Sequence, residues 1–247
     1  MQAAKDVGTV KRVVLTSSFA SVIDVDRGAG PGFTYTGKDW NPLTYEEACK
    51  GDAVIAYRGS KKFAELAAWD FVKENANSIN FDLVTHCPPM TFGEVCHPIK
   101  GHKDLNVSNA VLWSIVEGVD PLPVSRVPVW INVGDLAKAH VNSLLIPEVG
   151  GRRYVPASPE KFSYQKIADI IREKFPWAKS RVTKGNPNEP IPESYDLDSQ
   201  AVTDDLGVTF TSLEETIYKA IYQFALWEGS GISKEELAEM IEDANKR

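Results

Sequence analysis

Residues 10–15 are β-branched and continuously apolar after Arg12, and residues 81–86 form a second strand-like run that stops at Cys87-Pro88-Pro89. A strand apolar on both faces belongs inside a sheet covered on both sides, which is the situation of parallel sheets. Between the two runs, residues 56–75 place Phe63, Leu66, Ala67 and Phe71 at intervals of three and four, with Asp70 as the one polar interruption. That spacing predicts a helix. Strand, helix and strand in succession predict an α/β layer architecture. The two prolines have no N–H to give to a ladder, so the second strand is expected to end ahead of them.

The pattern continues along the chain. After a long polar, glycine-rich stretch at 24–41, Thr44-Tyr45-Glu46-Glu47 reads as a capping box that starts a short helix. Further helices are expected at 106–118, 135–145 and 164–175, and short strands at 129–133 and 153–155, the first of which is expected to return to the sheet. Ser212-Leu213-Glu214-Glu215 is a second capping box, opening a helix with Leu213, Ile217, Ile221 and Phe224 on one face. Residues 187–192 read as a proline-rich loop. Ser233-Lys234-Glu235-Glu236 is expected to cap a last, mostly polar helix.

A chain of 247 residues can bury a full core, as one large domain or as one domain with a smaller satellite. Its net charge of -7 and pI near 5.2 argue against a nucleic-acid binder, which needs a basic surface to release counterions from phosphates. Small molecules are the expected ligands. Cys49, Cys87 and Cys96 form no CxxC pair and no secretory segment precedes them, which suits a reducing cytoplasm. No apolar run approaches the roughly 20 residues of a membrane helix.

Tyr57 and Lys61 are four apart on the expected helix, so their side chains share a face and can reach one ligand. An ammonium beside a phenol favours the phenolate, which lets the tyrosine exchange a proton with a substrate oxygen near neutral pH. In such a pair the tyrosine is the acid and the lysine its tuner. The spacing alone is weak evidence: with eight tyrosines, about half of such chains would contain Tyr-x-x-x-Lys by accident. Ala64 and Ala68 continue the stripe, and small side chains there would admit a close neighbour. Ser17 and Ser18 stand where the first strand ends, and open parallel sheets bind ligands outside the carboxyl ends of their strands. A hydroxyl there can donate to a carbonyl oxygen as charge builds on it, or it can simply cap the chain that follows. His140 has no paired base or metal and reads as structural. Cys96-His97 with His102 matches no tetrahedral spacing, and no metal site is expected.

Val13-Val14-Leu15-Thr16-Ser17-Ser18, Tyr57-Arg58-Gly59-Ser60-Lys61-Lys62-Phe63-Ala64-Glu65 and Ala67-Ala68-Trp69 together resemble the extended short-chain dehydrogenases/reductases, the NAD-dependent epimerase/dehydratase family. The resemblance is strongest to fungal carbonyl reductases of the methylglyoxal reductase type and to plant dihydroflavonol reductases. It extends through residues 88–93, Leu105-Asn106-Val107-Ser108-Asn109, Asp135-Leu136-Ala137-Lys138-Ala139-His140 and residues 206–215. The resemblance implies that Ser18 polarises a substrate carbonyl, with Ser17 as the alternative hydroxyl. It implies that Tyr57 delivers the proton and that Lys61 holds the nicotinamide ribose. Pro88 and Thr91 match positions at the nicotinamide end, Ser108 matches a cofactor contact, and Phe19, Met90 and Phe92 match the border of the substrate pocket. Relatives follow the matching glycine with proline, whereas Glu94 follows Gly93 here.

Relatives also begin with a strand, a Gly-x-x-Gly-x-x-Gly turn and a helix whose N-terminus receives the pyrophosphate. Residues 1–12 hold no counterpart, and Gly28, Gly30 and Gly32 follow the serines with no helix directly after them. The resemblance therefore implies an N-terminally truncated chain: a partial Rossmann-type parallel sheet from the fifth strand onward, with a smaller α/β substrate-binding region. Residues 1–92 and 129–153 are expected to be the remnant of the dinucleotide-binding domain, interleaved with a substrate-binding region at 93–128 and 154–247. The implied activity is reduction of an aldehyde or ketone to an alcohol. NADPH is the implied cofactor, with NADH left open because the selecting residue falls outside the matched segments. The strand at 10–15 is expected to be an exposed edge that invites pairing with another chain, and the chain alone is expected to bind cofactor poorly and to lack appreciable activity. A non-catalytic short form pairing with a full-length relative, and a nonfunctional fragment, are the other readings.

Overall fold

The computed structural model describes residues 1–187 and 189–228, so the helix expected after Ser233 lies outside the described residues. A short helix α1 (Gln2–Val7) leads into β1 (Arg12–Thr16). A long loop containing β2 (Thr34–Tyr35) then reaches α2 (Tyr45–Lys50), whose Thr44 and Glu47 form both bonds of the capping box. After α3 (Ala53–Glu74) come β3 (Asp82–His86), β4 (Met90–Phe92) and α4 (Val107–Val116). The chain continues with β5 (Trp130–Asn132), α5 (Val133–Leu145), β6 (Arg153–Tyr154), α6 (Tyr164–Lys174), β7 (Asp196–Leu197), α7 (Ser199–Leu206) and α8 (Leu213–Glu228). No described helix is long and apolar enough to cross a membrane.

The main sheet has the order β1-β3-β6 and is parallel, with Val13 opposite Leu83, Leu15 opposite Thr85, and Thr85 opposite Arg153. Successive side chains point to opposite faces. On one face Val14 and Val84 pack with Ala139 of α5 and with Val202 and Leu206 of α7. On the other, Thr85 turns toward α3, where its hydroxyl donates to Glu65 at 2.8 Å. The expected Rossmann-type α/β layering is therefore present, with β1 half-buried at an edge of the described sheet.

Three expectations are corrected. The segment around Trp130 does not rejoin the main sheet: β5 pairs with β4 in a separate two-stranded sheet, and β6 takes the place beside β3. Pro88 and Pro89 end β3, and the chain resumes as β4 with its own edge, which β5 fills. The long helix begins at Ala53 rather than at residue 56, because the Asp52 carboxylate accepts from the N–H groups of Val54 and Ile55. Nor is its buried face the Phe63, Leu66, Ala67 and Phe71 stripe. Ala67 is exposed, and the buried residues are Gly59, Glu65 and Ala68. Gly59 lets α3 lie against α2 so closely that an added Cβ would meet the Ala48 Cβ at 2.2 Å.

The described residues cluster into two compact units. The first, Met1–Thr91, Val127–Lys161 and Pro192–Thr211, contains the main sheet, α1 to α3, α5 and α7. Residues 154–161 and 192–211, assigned from the sequence to the other portion, cluster here. A second core in this unit joins Phe19, Tyr35, Cys87, Val155, Tyr195 and Leu197, with β2 and β7 paired in parallel beside it. The second unit comprises the described residues of Phe92–Arg126, Phe162–Ile191 and 212–228, and carries α4, α6 and α8. Leu213, Ile217, Ile221 and Phe224 of α8 are all fully buried, as their spacing predicts.

Candidate active site

β1 ends at Thr16, and the Ser17 N–H extends its ladder to the His86 carbonyl at 2.7 Å. Ser18 is the extended residue that caps the short 3-10 turn Phe19–Ser21. Its Oγ accepts from the Ala20 N–H at 3.2 Å, so its own proton is left to point outward. The Phe19 N–H donates to the Pro88 carbonyl at 2.9 Å, which holds the loops after β1 and β3 together at the carboxyl edge of the sheet.

Tyr57 sits in the second turn of α3 and is 50% exposed. Its hydroxyl lies 3.5 Å from Ser18 Oγ, and Lys61 Nζ lies 5.8 Å from its ring centre. Among the described residues, the Lys61 ammonium has no ion-pair partner, so its three donors are available to a ligand. Ser18 therefore lies beside the Tyr57 hydroxyl, and Lys61 beside the Tyr57 ring. Ser17 does not join them: its Oγ donates at 2.7 Å to Glu65 Oε2, away from Tyr57.

The remaining predicted residues are placed less uniformly. Pro88 is buried; Thr91 and Met90 are half-buried, and Thr91 Oγ1 donates to the Pro89 carbonyl at 3.3 Å. Phe19 is packed into the first unit's core, 5.4 Å from Tyr35 and 5.7 Å from Tyr195 between ring centres. Phe92 is fully buried in the second unit against Phe162, and Ser108 lies half-buried on α4 of that unit. His140 Nδ1 donates to the Leu136 carbonyl at 2.8 Å, its Nε2 lies 2.8 Å from Thr16 Oγ1, and its ring packs on His86, which fits the structural reading. No group of metal-binding side chains occurs among the described residues. A groove of about 460 Å³ lined by Trp69, Val72, Ile79, Phe81 and Leu83 lies toward the opposite end of the strands from Ser18.

Sequence reasoning missed two residues beneath the site. Glu65 follows Tyr57 and Lys61 at the same four-residue interval on α3, yet it is 1% exposed. Its Oε1 accepts from Arg153 Nε at 2.7 Å and its Oε2 from Ser21 Oγ at 2.6 Å, in addition to Ser17. Burial alone pushes this carboxyl up, but the hydrogen bond and charge of Arg153, with Ser21 and Ser17, outweigh it and bring Glu65 down to about 2. Arg153, in β6, also donates to the carbonyls of Gly37 and Asp39 and stacks 3.7 Å from the Trp40 ring centre. The interval from Lys61 was a readable signal for Glu65. Nothing in the sequence marked Arg153, whose strand lies 88 residues further along. Neighbouring Cys87 is held as the thiol, pushed up to about 12 by burial.

The arrangement is a hydroxyl, a phenol and an ammonium at the carboxyl edge of a parallel sheet. The NADPH-dependent methylglyoxal reductase GRE2 of Saccharomyces cerevisiae is 36% identical over 228 residues, covering 90% of this chain and 65% of the relative. The crystal structure of Gre2 from Candida albicans in complex with NADPH superposes with a TM-score of 0.80 at 32% identity, covering 92% of this chain and 68% of that one. This chain belongs to the extended short-chain dehydrogenase/reductase family. The family includes a further relative in the ketoreductase azaE of Aspergillus niger, 34% identical over 86% of this chain and 62% of its own length. No model of a known protein family matches the chain. As a member of the family, the chain spans just under two thirds of the curated relatives it matches. The donor set suits the nicotinamide-ribose end of a dinucleotide: an unpaired ammonium and a phenol, both reachable from solvent, meet the hydroxyls of a sugar.

Proposed function

We propose that the chain carries the proton-delivering site of an NADPH-dependent reductase that converts an aldehyde or ketone to the alcohol. The observation that carries this reading is the 3.5 Å approach of Ser18 Oγ to the Tyr57 hydroxyl, with Lys61 one turn along the same helix. When bound, a dihydronicotinamide supplies the hydride that reaches the carbonyl carbon. The Ser18 hydroxyl donates to the carbonyl oxygen as negative charge builds there. Tyr57 transfers its proton to that oxygen, and the Lys61 ammonium stabilises the charge left on the phenol while it holds a ribose hydroxyl. Pro88 and Thr91 are assigned to the nicotinamide end and Met90 to the substrate. The roles of Ser108, Phe19 and Phe92 rest on the family resemblance alone. The sheet-bearing unit is assigned to the cofactor and the helical unit to the substrate. A cytoplasmic location fits three cysteines that are all free thiols.

The test measures NADPH consumption by the full gene product with a panel of small aldehydes and ketones. Ser18→Ala, Tyr57→Phe and Lys61→Ala should each lower kcat about 100-fold or more. Carbonyl-dependent consumption that survives in Tyr57→Phe would sink the assignment.

A further inference from the structure

We propose that Glu65, clamped by Arg153, is the positioning residue that holds Ser18 in line with Tyr57. The inference rests on the reading of Ser18 and Tyr57 given above and extends it to residues that touch no substrate.

The two hydroxyls that have to face one another belong to different segments: Tyr57 to α3, Ser18 to a single 3-10 turn after β1. The direct link between them is the 3.5 Å approach itself, which is too long to hold a loop in place. Glu65 supplies the missing tie. It sits two turns along α3 from Tyr57, on the same face, and receives Ser17 Oγ at 2.7 Å and Ser21 Oγ at 2.6 Å. These serines bracket Ser18, one immediately before it and one at the end of the turn it caps. The turn is thus pinned on both sides to the helix that carries the acid.

The carboxylate can serve Ser17 and Ser21 together, with Thr85 on its other oxygen, because Arg153 fixes its orientation. The guanidinium meets both oxygens, Nε to Oε1 at 2.7 Å and Nη2 to Oε2 at 3.2 Å, and Nη2 also reaches Ser21 Oγ at 3.1 Å. A forked pair of this kind sets direction as well as charge. Arg153 is in turn anchored: Gly37 approaches its backbone so closely that a Cβ there would lie 1.8 Å from the Arg153 carbonyl oxygen. The neighbouring Asn41 is tied back to the turn through the Ala20 and Ser21 carbonyls. Thr85, Trp69 and Cys87 also donate to this carboxylate and tie it to β3 and to its own helix, while Ser17 and Ser21 carry the same anchor to both sides of Ser18.

The decisive experiment is a double-mutant cycle on the full gene product, with kcat and KM measured for NADPH and an aldehyde substrate. Ser17→Ala removes one tie and leaves the ion pair intact; Glu65→Gln removes acceptor capacity at the hub. Each should lower kcat by about 10-fold to 100-fold with KM for NADPH unchanged within about twofold, and neither should lower it further in a Ser18→Ala background. Equal losses in both backgrounds mean a general structural role and overturn the proposal, while the Ser18 assignment stands. A Ser18→Ala protein with undiminished kcat overturns both. If Glu65→Gln does not fold, Ser17→Ala alone carries the decision. A crystal structure of Ser17→Ala gives a readout independent of turnover: Ser18 Oγ should move away from the Tyr57 hydroxyl, and an unchanged separation overturns the inference.

Discussion

At the scale of single residues, two adjacent serines with the same chemistry acquire different tasks through the direction each hydroxyl faces. Ser17 looks inward to a buried carboxylate, and Ser18 outward to a phenol. Both are half-buried, so exposure does not separate them; hydrogen-bond partners do. Tyr57→Phe should leave stability within about 0.5 kcal/mol, since the side chain is half-exposed, while removing turnover. Matched urea midpoints beside lost kcat would demonstrate that separation. Glu65→Ala should behave in the opposite way. It strands the Arg153 guanidinium, whose side chain is 6% exposed, without its counter-charge, and should destabilise the fold by about 3 to 5 kcal/mol. Urea unfolding measures the loss, and a cost under about 1 kcal/mol would show that Arg153 finds other partners.

At the scale of elements, α3 shows what a periodic pattern conveys and what it omits. The helix was legible from Phe63, Leu66 and Phe71, but those side chains are only half-buried, and the deepest positions are Gly59, Glu65 and Ala68. Hydropathy cannot flag a glycine or a glutamate as interior, because burial of either depends on a partner from elsewhere: Ala48 for one, Arg153 for the other. Gly59 gives a sign-reversed prediction. Glycine to alanine inside a helix ordinarily gains about 1 kcal/mol. Here the new Cβ would meet the Ala48 Cβ at 2.2 Å, and Gly59→Ala should instead destabilise by about 1 to 3 kcal/mol. Adding Ala48→Gly should recover part of the loss, with thermal melts of the single and double variants as the check. The strands were harder to place than to find. The segments at 129–133 and 153–155 are both short, and sequence offers no reason why β6 rather than β5 lies beside β3.

At the scale of the whole molecule, two buried groups make the fold sensitive to acid. His86 is fully buried, with Nε2 at 2.9 Å from Ser143 Oγ, and burial followed by the charge of His140 lowers it to about 3. Its folded value lies below the ordinary 6.5, so the unfolded chain takes up a proton first, and stability falls as the pH drops from about 6.5 toward 3. Glu65, lowered from 4.5 to about 2, adds a loss in the same direction below about pH 4.5. Urea midpoints between pH 7 and pH 5 should decline with a slope approaching one proton, about 1.4 kcal/mol per pH unit. His86→Asn should flatten that interval and leave the limb below pH 4.5 in place. A midpoint that is flat for the unaltered protein would refute the assignment.

Local sequence determined the longer elements, among them β1, β3, α3, α5, α6 and α8, where Thr44 and Ser212 start helices, and that Tyr57 and Lys61 share a face, because each of these depends on periodicity or on bonds a few residues apart. The short β2, β4 and β7 and the helix α7 carried no such signal. The order of the sheet, the choice between Ser17 and Ser18 and the burial of Glu65 were decided only by the tertiary structure. Each depends on a partner far along the chain: Tyr57 on α3 for Ser18, Arg153 in β6 for Glu65, and the break at Pro88 and Pro89 for the pairing of β4 with β5. A buried charge is stable only when its counter-charge arrives in register, and that register is a property of the packed sheet and helices.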